Sequence, residues 1–102
     1  MIARHWRGWT NLKDADKYEA VLRNKVFRSL KQIEGYCGGH VLRLDEEESE
    51  FIVLNFFETL EAVRKFAGEN YETPVFEPEA KRLLSRFDTV AKHYEVRVNT
   101  VE

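Results

Sequence analysis

The sequence predicts an α+β fold in which a strand, a helix, two strands, a helical crossover and a last strand follow one another. Four short segments are rich in bulky apolar residues and end at turn-forming residues, which is typical of strands. Between them, apolar residues recur at steps of three and four, as in helices that pack on one side. A chain of 102 residues suits one domain, so we expect residues 1–102 to form a single ferredoxin-like βαββαβ unit.

The first strand is predicted over residues 2–9, which are rich in aromatic and bulky side chains. Side chains alternate across a strand, so odd and even positions face opposite ways. One face carries Ile2, Arg4 and Trp6. The other face carries Ala3, His5, Arg7 and Trp9. The alternation does not decide which of these faces meets the helices.

A long helix is predicted next, over residues 12–33. Its apolar positions form one stripe, consisting of Tyr18, Val21, Leu22, Val26, Leu30 and Ile33. Asp14 and Asp16 lie near its start, where the helix dipole favours acidic side chains. Gly35 can adopt the left-handed conformation that ends a helix.

Two strands are predicted over residues 40–45 and 51–57, joined by a charged turn at residues 46–50. The later strand is apolar on both faces, which indicates that both faces are covered. The helical crossover that follows is predicted in two parts. Thr59 caps a short helix, residues 69–76 are irregular, and Pro78 begins another helix. The apolar positions of that helix are Ala80, Leu83, Leu84 and Phe87. The last strand is predicted over residues 89–98.

This element order predicts a sheet that is covered by helices on one face only. Right-handed crossovers place both helical segments on the same side of the sheet. The opposite side would be bare, yet residues 51–57 offer no polar face to water. A bare apolar sheet on so small a domain indicates an interface. We therefore expect a homodimer in which two sheets pack face to face.

Composition excludes several classes of partner. The net charge is −2 and acidic and basic residues are interspersed, so we expect neither nucleic-acid nor membrane-surface binding. No apolar run is long enough for a membrane helix, and residues 1–7 lack a signal-peptide core. Cys37 is the one cysteine, so no disulfide forms within the chain. The expected location is the reducing cytoplasm.

Several segments together resemble a known family. They are residues 51–63 (FIVLNFFETLEAV), residues 66–72 (FAGENYE), residues 78–80 (PEA) and residues 93–96 (HYEV). The chain is similar along nearly its whole length to the bacterial antibiotic biosynthesis monooxygenase family, whose fold is a dimeric α+β barrel. The resemblance implies a substrate cavity between the sheet and the helices of each subunit.

The family resemblance implies several activities. Some members oxygenate aromatic phenols or anthrones to quinones without metal or flavin, some act on quinols or signalling molecules, and some cleave heme. At the positions where the heme-cleaving branch carries asparagine, tryptophan and histidine, this chain has His5, Phe57 and Ala80. These departures disfavour heme degradation. The first hypothesis is therefore a monooxygenase that needs no cofactor and oxidises a small hydroxylated aromatic or quinol with dioxygen. The alternatives are a non-enzymatic dimeric module that binds a small ligand, or a heme-handling relative.

Three polar residues are candidates for catalysis. His93 titrates near neutral pH, and Glu95 or Arg97 could orient it from the same strand face. His5 lies on the first strand. Asn55 is the one polar residue within an apolar strand, and a buried amide needs hydrogen-bond partners. Each of them can equally be structural.

Aromatic residues could form the walls of a substrate cavity, or simply belong to the core or the dimer interface. These are Trp6, Trp9, Phe57, Tyr71 and Phe76. No phosphate-binding loop, dinucleotide fingerprint, cluster of metal ligands or serine nucleophile motif is present, so no cofactor and no metal are expected. A cavity that admits a ring system would favour the enzyme, whereas a filled core would favour a structural role.

Overall fold

The computed structural model describes residues 1–100 and contains one antiparallel sheet of five strands. The strands are β1 (Ile2–Asn11), β2 (Tyr36–Asp45), β3 (Glu48–Phe57), β4 (Leu84–Phe87) and β5 (Lys92–Glu95). β3 lies between β2 and β1, and β4 and β5 pair one after the other with the free edge of β1. The predicted ferredoxin-like sheet is confirmed, with its last strand divided in two.

Helices connect these strands. α1 (Ala15–Val21) and α2 (Phe27–Leu30) form one helical segment, which opens with a 3₁₀ turn at Leu12–Asp14 and contains a π-helical turn at Leu22–Val26. The later crossover contains α3 (Leu60–Ala67) and α4 (Pro78–Leu83). The Thr59 side chain accepts a hydrogen bond from the backbone N–H of Ala62, as predicted for its cap.

One predicted element was wrong. The last helix was expected to include Leu84 and Phe87, but α4 ends at Leu83 and residues Leu84–Phe87 form β4. The backbone of β4 pairs with β1, where Phe87 lies opposite Gly8. Tertiary pairing thus overrides a helical apolar pattern, because the edge of β1 offers hydrogen-bond partners that solvent would otherwise supply.

The inner face of the sheet packs on the helices in two core clusters. One contains Phe51 of β3 with Tyr18, Leu22 and Ala80, and the other contains Phe57 of β3 with residues of α2 and α3. Phe51 and Phe57 share one face of β3, so the helices lie on one side of the sheet, as expected. The polar residues Arg4 and Asn55 lie on the stretch of inner face between these two clusters.

No helix among residues 1–100 lies on the outer face of the sheet. Leu42, Leu44 and Tyr94 are 48%, 52% and 51% exposed there. Leu54 and Phe56 lie beside them and are half-buried. Among residues 1–100, no helix is long and apolar enough to span a bilayer.

Candidate functional site

A cavity of about 50 Å³ lies between the inner face and the helices. That volume accommodates a few water molecules, and a bound ring would have to displace part of the wall. The lining residues come from β1, β3, the helical segments and the irregular stretch before α4. They are Arg4, Trp6, Tyr18, Leu22, Val26, Val53, Asn55, Phe66, Pro74, Val75, Phe76, Glu77 and Ala80. The cavity is therefore mainly apolar, with a few polar groups.

Arg4 is a buried cation without an acidic partner. It is 5% exposed. One Nη donates to the carbonyl of Tyr71 and lies 3.0 Å from Nε2 of His93, and the other donates to the carbonyl of Thr73 at 3.3 Å. No Asp or Glu among residues 1–100 forms an ion pair with it, and burial lowers the pKa of Arg4 to about 10. Its positive charge is uncompensated within that part of the chain.

Asn55 lies directly opposite Arg4 in the β1–β3 register and is 3% exposed. Its Oδ1 accepts a hydrogen bond of 2.7 Å from the Tyr36 hydroxyl. No residue among 1–100 accepts a hydrogen bond from its amide nitrogen. Gly39 makes this arrangement possible, because a Cβ there would lie 2.1 Å from Oδ1 of Asn55.

Tyr18 contributes the third buried polar group of the cavity. It is 1% exposed and its ring packs edge-on against Phe51, with centroids 4.8 Å apart. Burial raises the pKa of the Tyr18 hydroxyl. This hydroxyl makes no hydrogen bond to residues 1–100. Since no fully enclosed side-chain nitrogen or oxygen in the described chain lacks a partner, the unpaired groups of Tyr18 and Asn55 border open space.

His93 lies on the other side of Arg4, opposite it in the β1–β5 register. Burial, and secondarily the charge of Arg4, lower the pKa of His93 to about 4. The ring is therefore neutral at neutral pH, and its Nε2 can accept from the guanidinium. The expectation that Glu95 or Arg97 orients His93 was wrong, because those two side chains pair with each other at 3.8 Å.

An aromatic cluster closes one end of the cavity. Trp6 packs edge-on against Phe76 at 5.8 Å, and Phe76 against Phe87 at 4.7 Å between ring centroids. The indole N–H of Trp6 donates to the carbonyl of Asp88 at 2.8 Å. A Cβ on Gly8 would lie 2.6 Å from the Trp6 ring, so glycine is needed for the ring to lie along β1.

The residues proposed from the sequence are divided among three places. Asn55, Trp6 and Phe76 line the cavity. His93 and Tyr71 contact each other at 5.0 Å between rings, and both hydrogen-bond Arg4 from outside the lining.

The other three proposed residues lie away from the cavity. Phe57 is fully enclosed beneath α3, in the second core cluster. His5 and Trp9 are on the outer face, because odd positions of β1 point away from Arg4 and Trp6. Trp9 lies there between the guanidinium groups of Arg7 and Arg86.

Sequence reasoning missed Arg4 and Tyr18. Arg4 could have been recognised from the sequence, because a charged residue between Ile2 and Trp6 interrupts an otherwise apolar strand face. Tyr18 could not have been recognised, because its position in the apolar stripe of the helix is the same as that of a core residue. Among residues 1–100, no three His, Cys, Asp or Glu side chains form a cluster that could hold a metal ion.

Solved structures share this architecture from end to end. A proposed antibiotic biosynthesis monooxygenase of Deinococcus radiodurans matches at a TM-score of 0.71 and 14% identity, over 100% of both chains. A protein of the same description from Bacillus cereus matches at 0.69 and 13%, over 100% of this chain and 96% of that one. The chain has the antibiotic biosynthesis monooxygenase fold.

The same fold occurs in a heme-degrading protein. MhuD of Mycobacterium tuberculosis, whose structure holds two hemes in its active site, matches at a TM-score of 0.68 and 13% identity, over 99% of this chain and 100% of that one. No family profile and no curated protein sequence matches the chain. At these identities the likeness establishes the fold, and the function has to be argued from the cavity.

Proposed function

We propose that the cavity is the active site of a monooxygenase that uses no cofactor and oxidises a small hydroxylated aromatic or quinol with dioxygen. One observation carries the proposal. Aromatic and aliphatic walls enclose three nearly inaccessible polar residues, Arg4, Tyr18 and Asn55, each with hydrogen-bonding groups that residues 1–100 leave unpaired. Buried polar groups are normally paired, so this arrangement supports a ligand that pairs with them.

Oxidation of a phenol by dioxygen without a cofactor requires little of the protein beyond this environment. A phenol with a free para position and one dioxygen molecule give a para-quinone and one water molecule, so one oxygen atom enters the ring carbon and the other leaves as water. The substrate must first lose its phenolic proton to solvent water and then donate electrons to dioxygen. That proton and the hydrogen of the para carbon end in the water molecule that is formed. The Arg4 cation would stabilise the bound anion, and the Asn55 amide would donate a hydrogen bond to it.

His93 and Tyr71 would act through Arg4 rather than on the substrate. Both hydrogen-bond the guanidinium from the side away from the cavity. Since the lowered pKa keeps His93 neutral at neutral pH, it adds no second positive charge beside Arg4. We therefore propose both as positioning residues, while Asn55, Trp6 and Phe76 are proposed to touch the substrate. His5 and Trp9 are assigned no part in this site, because they lie on the outer face.

The small volume restricts what can bind. About 50 Å³ is far below the few hundred Å³ of a typical ligand pocket, so a ring enters only if part of the wall moves. Residues 74–77 have no regular secondary structure and form one wall. We propose that this stretch moves outward to admit a single ring, which suits a monocyclic substrate better than a polycyclic one.

The two alternatives predict different behaviour. A non-enzymatic module would use the same polar groups to hold a ligand without oxidising it. A heme-handling protein would need a far larger space and an iron ligand. No histidine lines the cavity among residues 1–100, and Ala80 stands in its wall where the heme-cleaving branch carries one.

We further propose that the protein is a homodimer formed through the outer face. Leu42, Leu44 and Tyr94 are about half exposed on a sheet face that no helix among residues 1–100 covers. Exposed apolar area of this kind is typical of an interface, and a second copy presents the same surface about a two-fold axis. Cys37 is an exposed free thiol, so the cytoplasm stays the proposed location.

Oxygen uptake tests the function. Purified protein with no added cofactor is mixed with monocyclic phenols, hydroquinones, naphthols and anthrones, in buffer with ¹⁸O₂, and products are analysed for one labelled oxygen. We expect uptake above autoxidation on a monocyclic compound. Asn55→Ala should reduce it about 10-fold or more, because the hydrogen bond to the anion is lost. Arg23→Gln, on an exposed helix position, should leave it unchanged.

Other outcomes would overturn this function. Binding of the compounds without oxygen uptake would favour the non-enzymatic ligand-binding module. A Soret band after addition of hemin, with loss of the heme on reduction in air, would favour the heme-handling relative.

A further inference from the structure

We propose that the ligand is a hydroxylated, single-ring aromatic carboxylic acid whose carboxylate binds Arg4 and Asn55. This inference narrows the substrate class of the proposed function and rests on the same cavity. It does not depend on oxygen chemistry, because it concerns what the cavity binds.

Charge favours a carboxylate over a phenol. Arg4 is buried and has no ion pair with an Asp or Glu among residues 1–100. An isolated charge removed from water is unfavourable unless an opposite charge accompanies it. A benzoic acid carries its negative charge at neutral pH, as side-chain carboxyl groups do, whereas a phenol, like tyrosine, is neutral until about pH 10. Only the acid compensates Arg4 on binding.

Hydrogen bonding agrees with this choice. Three of the five N–H groups of Arg4, all on Nη1 and Nη2, have protein partners. Nε and one N–H of Nη2 have none among residues 1–100. Adjacent N–H groups of a guanidinium match the two oxygens of a carboxylate. The amide nitrogen of Asn55, directly opposite Arg4 across the β1–β3 pair, supplies a further donor.

The polar pair in the cavity lies beside apolar side chains. Arg4 and Asn55 face each other in one row of the sheet, and Trp6 and Val53 form the next row on the same face. Trp6 and Val53 line the cavity and offer apolar contact to a ring. Such a site fits a molecule that carries its carboxylate on one aromatic ring.

Glu77 is the acidic side chain in the lining. Its carboxylate already accepts from the backbone N–H of Ala80 at 3.1 Å and lies 3.7 Å from Nζ of Lys25. It is thus committed to the start of α4 and does not neutralise Arg4. Its negative charge would repel a ligand carboxylate, which leaves the Arg4 end as the favourable place for that group.

The test compares 3-hydroxybenzoate with 3-hydroxybenzamide, a neutral molecule of nearly the same shape, by titration calorimetry at pH 7. We expect the acid to bind about 10- to 100-fold more tightly, since hydrogen bonds to charged groups are the stronger ones. Arg4→Gln should remove that preference, whereas Arg23→Gln should keep it. Equal affinity for acid and amide, failure of both to bind, or a preference that survives in Arg4→Gln would overturn the inference.

Two further measurements separate causes of failure. If circular dichroism shows that Arg4→Gln does not fold, Asn55→Ala should still reduce acid binding more than amide binding, and equal reduction would contradict the proposal. Binding of the acid without oxygen uptake would support this inference and contradict the monooxygenase function. Oxygen uptake on neutral phenols, with equal affinity for the acid and the amide, would support the monooxygenase and contradict this inference.

Discussion

The two faces of the sheet invert the usual distribution of polarity. The inner face, covered by helices, holds Arg4 and Asn55 at 5% and 3% exposure where an apolar core is normal. The outer face, open to solvent, holds Leu42 and Leu44 at 48% and 52% exposure where polar residues are normal. Each inversion is unfavourable in an isolated chain. Together they support the two proposed partners, a ligand on the inner face and a second copy on the outer face.

The same strands produce both faces. Arg4 and His5 are neighbours in β1, and so are Leu54 and Asn55 in β3, yet each pair is divided between the inner and the outer face. A slip of one residue in the pairing would exchange the two surfaces. The register of β1 with β3 therefore sets both the proposed ligand site and the proposed interface.

The largest expected effect concerns the outer face. Leu54→Arg places a charge at the centre of that face, beside His5 and His40 in the sheet. Burying an unpaired charge twice in a two-fold interface is strongly unfavourable, so the dimer dissociation constant should rise at least about 100-fold. Sedimentation equilibrium should find the unmodified protein dimeric and this variant monomeric.

Leu12→Arg is the matched control for that variant. Leu12 is 49% exposed but lies in the 3₁₀ turn after β1, away from the outer face. This variant should stay dimeric. If the unmodified protein is monomeric, or if both variants dissociate the dimer to the same extent, the outer face is not the interface.

A smaller effect is expected from Gly39→Ala on the inner face. The new methyl would lie 2.1 Å from Oδ1 of Asn55 and 2.6 Å from the carbonyl oxygen of Leu54, so the strands or the Tyr36–Asn55 pair must shift. Overpacking of this kind costs about 1–3 kcal/mol in the free energy of unfolding. Urea denaturation measures it, and sedimentation should find the dimer intact.

A double-mutant cycle with Asn55→Ala sharpens the Gly39→Ala test. Part of the clash is with the Asn55 side chain, so Gly39→Ala should destabilise the Asn55→Ala background less than the unmodified protein. Equal costs in both backgrounds would mean that Gly39 is needed for backbone contact alone and does not serve the polar pair.

The smallest effect is a pH dependence from His93. Its pKa is about 4 in the folded protein and near 6.5 when unfolded, so the unfolded chain binds the extra proton between these values. The free energy of unfolding should therefore be highest above pH 6.5 and fall on acidification towards pH 4. Between pH 7 and 5 we expect a loss on the order of 1 kcal/mol, allowing for the solvent that reaches the ring.

His93→Gln should flatten that dependence, which urea denaturation at pH 7, 6 and 5 would measure in both proteins. The window above pH 5 is chosen because carboxylates with lowered pKa, such as Glu48 and Glu79, titrate below it. An unchanged slope in the variant would mean that His93 is not buried beside the Arg4 charge.

Much of the fold was predictable from local pattern. The apolar run at residues 51–57, the Thr59 cap and the Pro78 start each act over a few residues, and each is found where the pattern placed it. The error at Leu84–Phe87 has a different origin. Its helical spacing was real, but pairing with β1, some 75 residues earlier, determined the conformation, and no local pattern contains that partner.

The cavity was less predictable than the fold. Asn55 was recognisable because an amide interrupts an apolar strand, and Trp6 and Phe76 because they are aromatic. Tyr18 was not, since core and cavity residues of a helix share one spacing. Arg4 is important only because residues 71–73 and β5 close around it, and those contacts span 67 to 89 residues of sequence.

The sequence by itself determined the element order up to α4 and the residues that share a strand face. These follow from alternation and helical period, which are properties of neighbouring residues. The tertiary structure alone decided which face of β1 meets the helices, and hence that Arg4 and Trp6 are inside while His5 and Trp9 are outside. That choice depends on packing between distant segments, because both faces of β1 carry bulky and charged side chains and neither is marked as inner by its own composition.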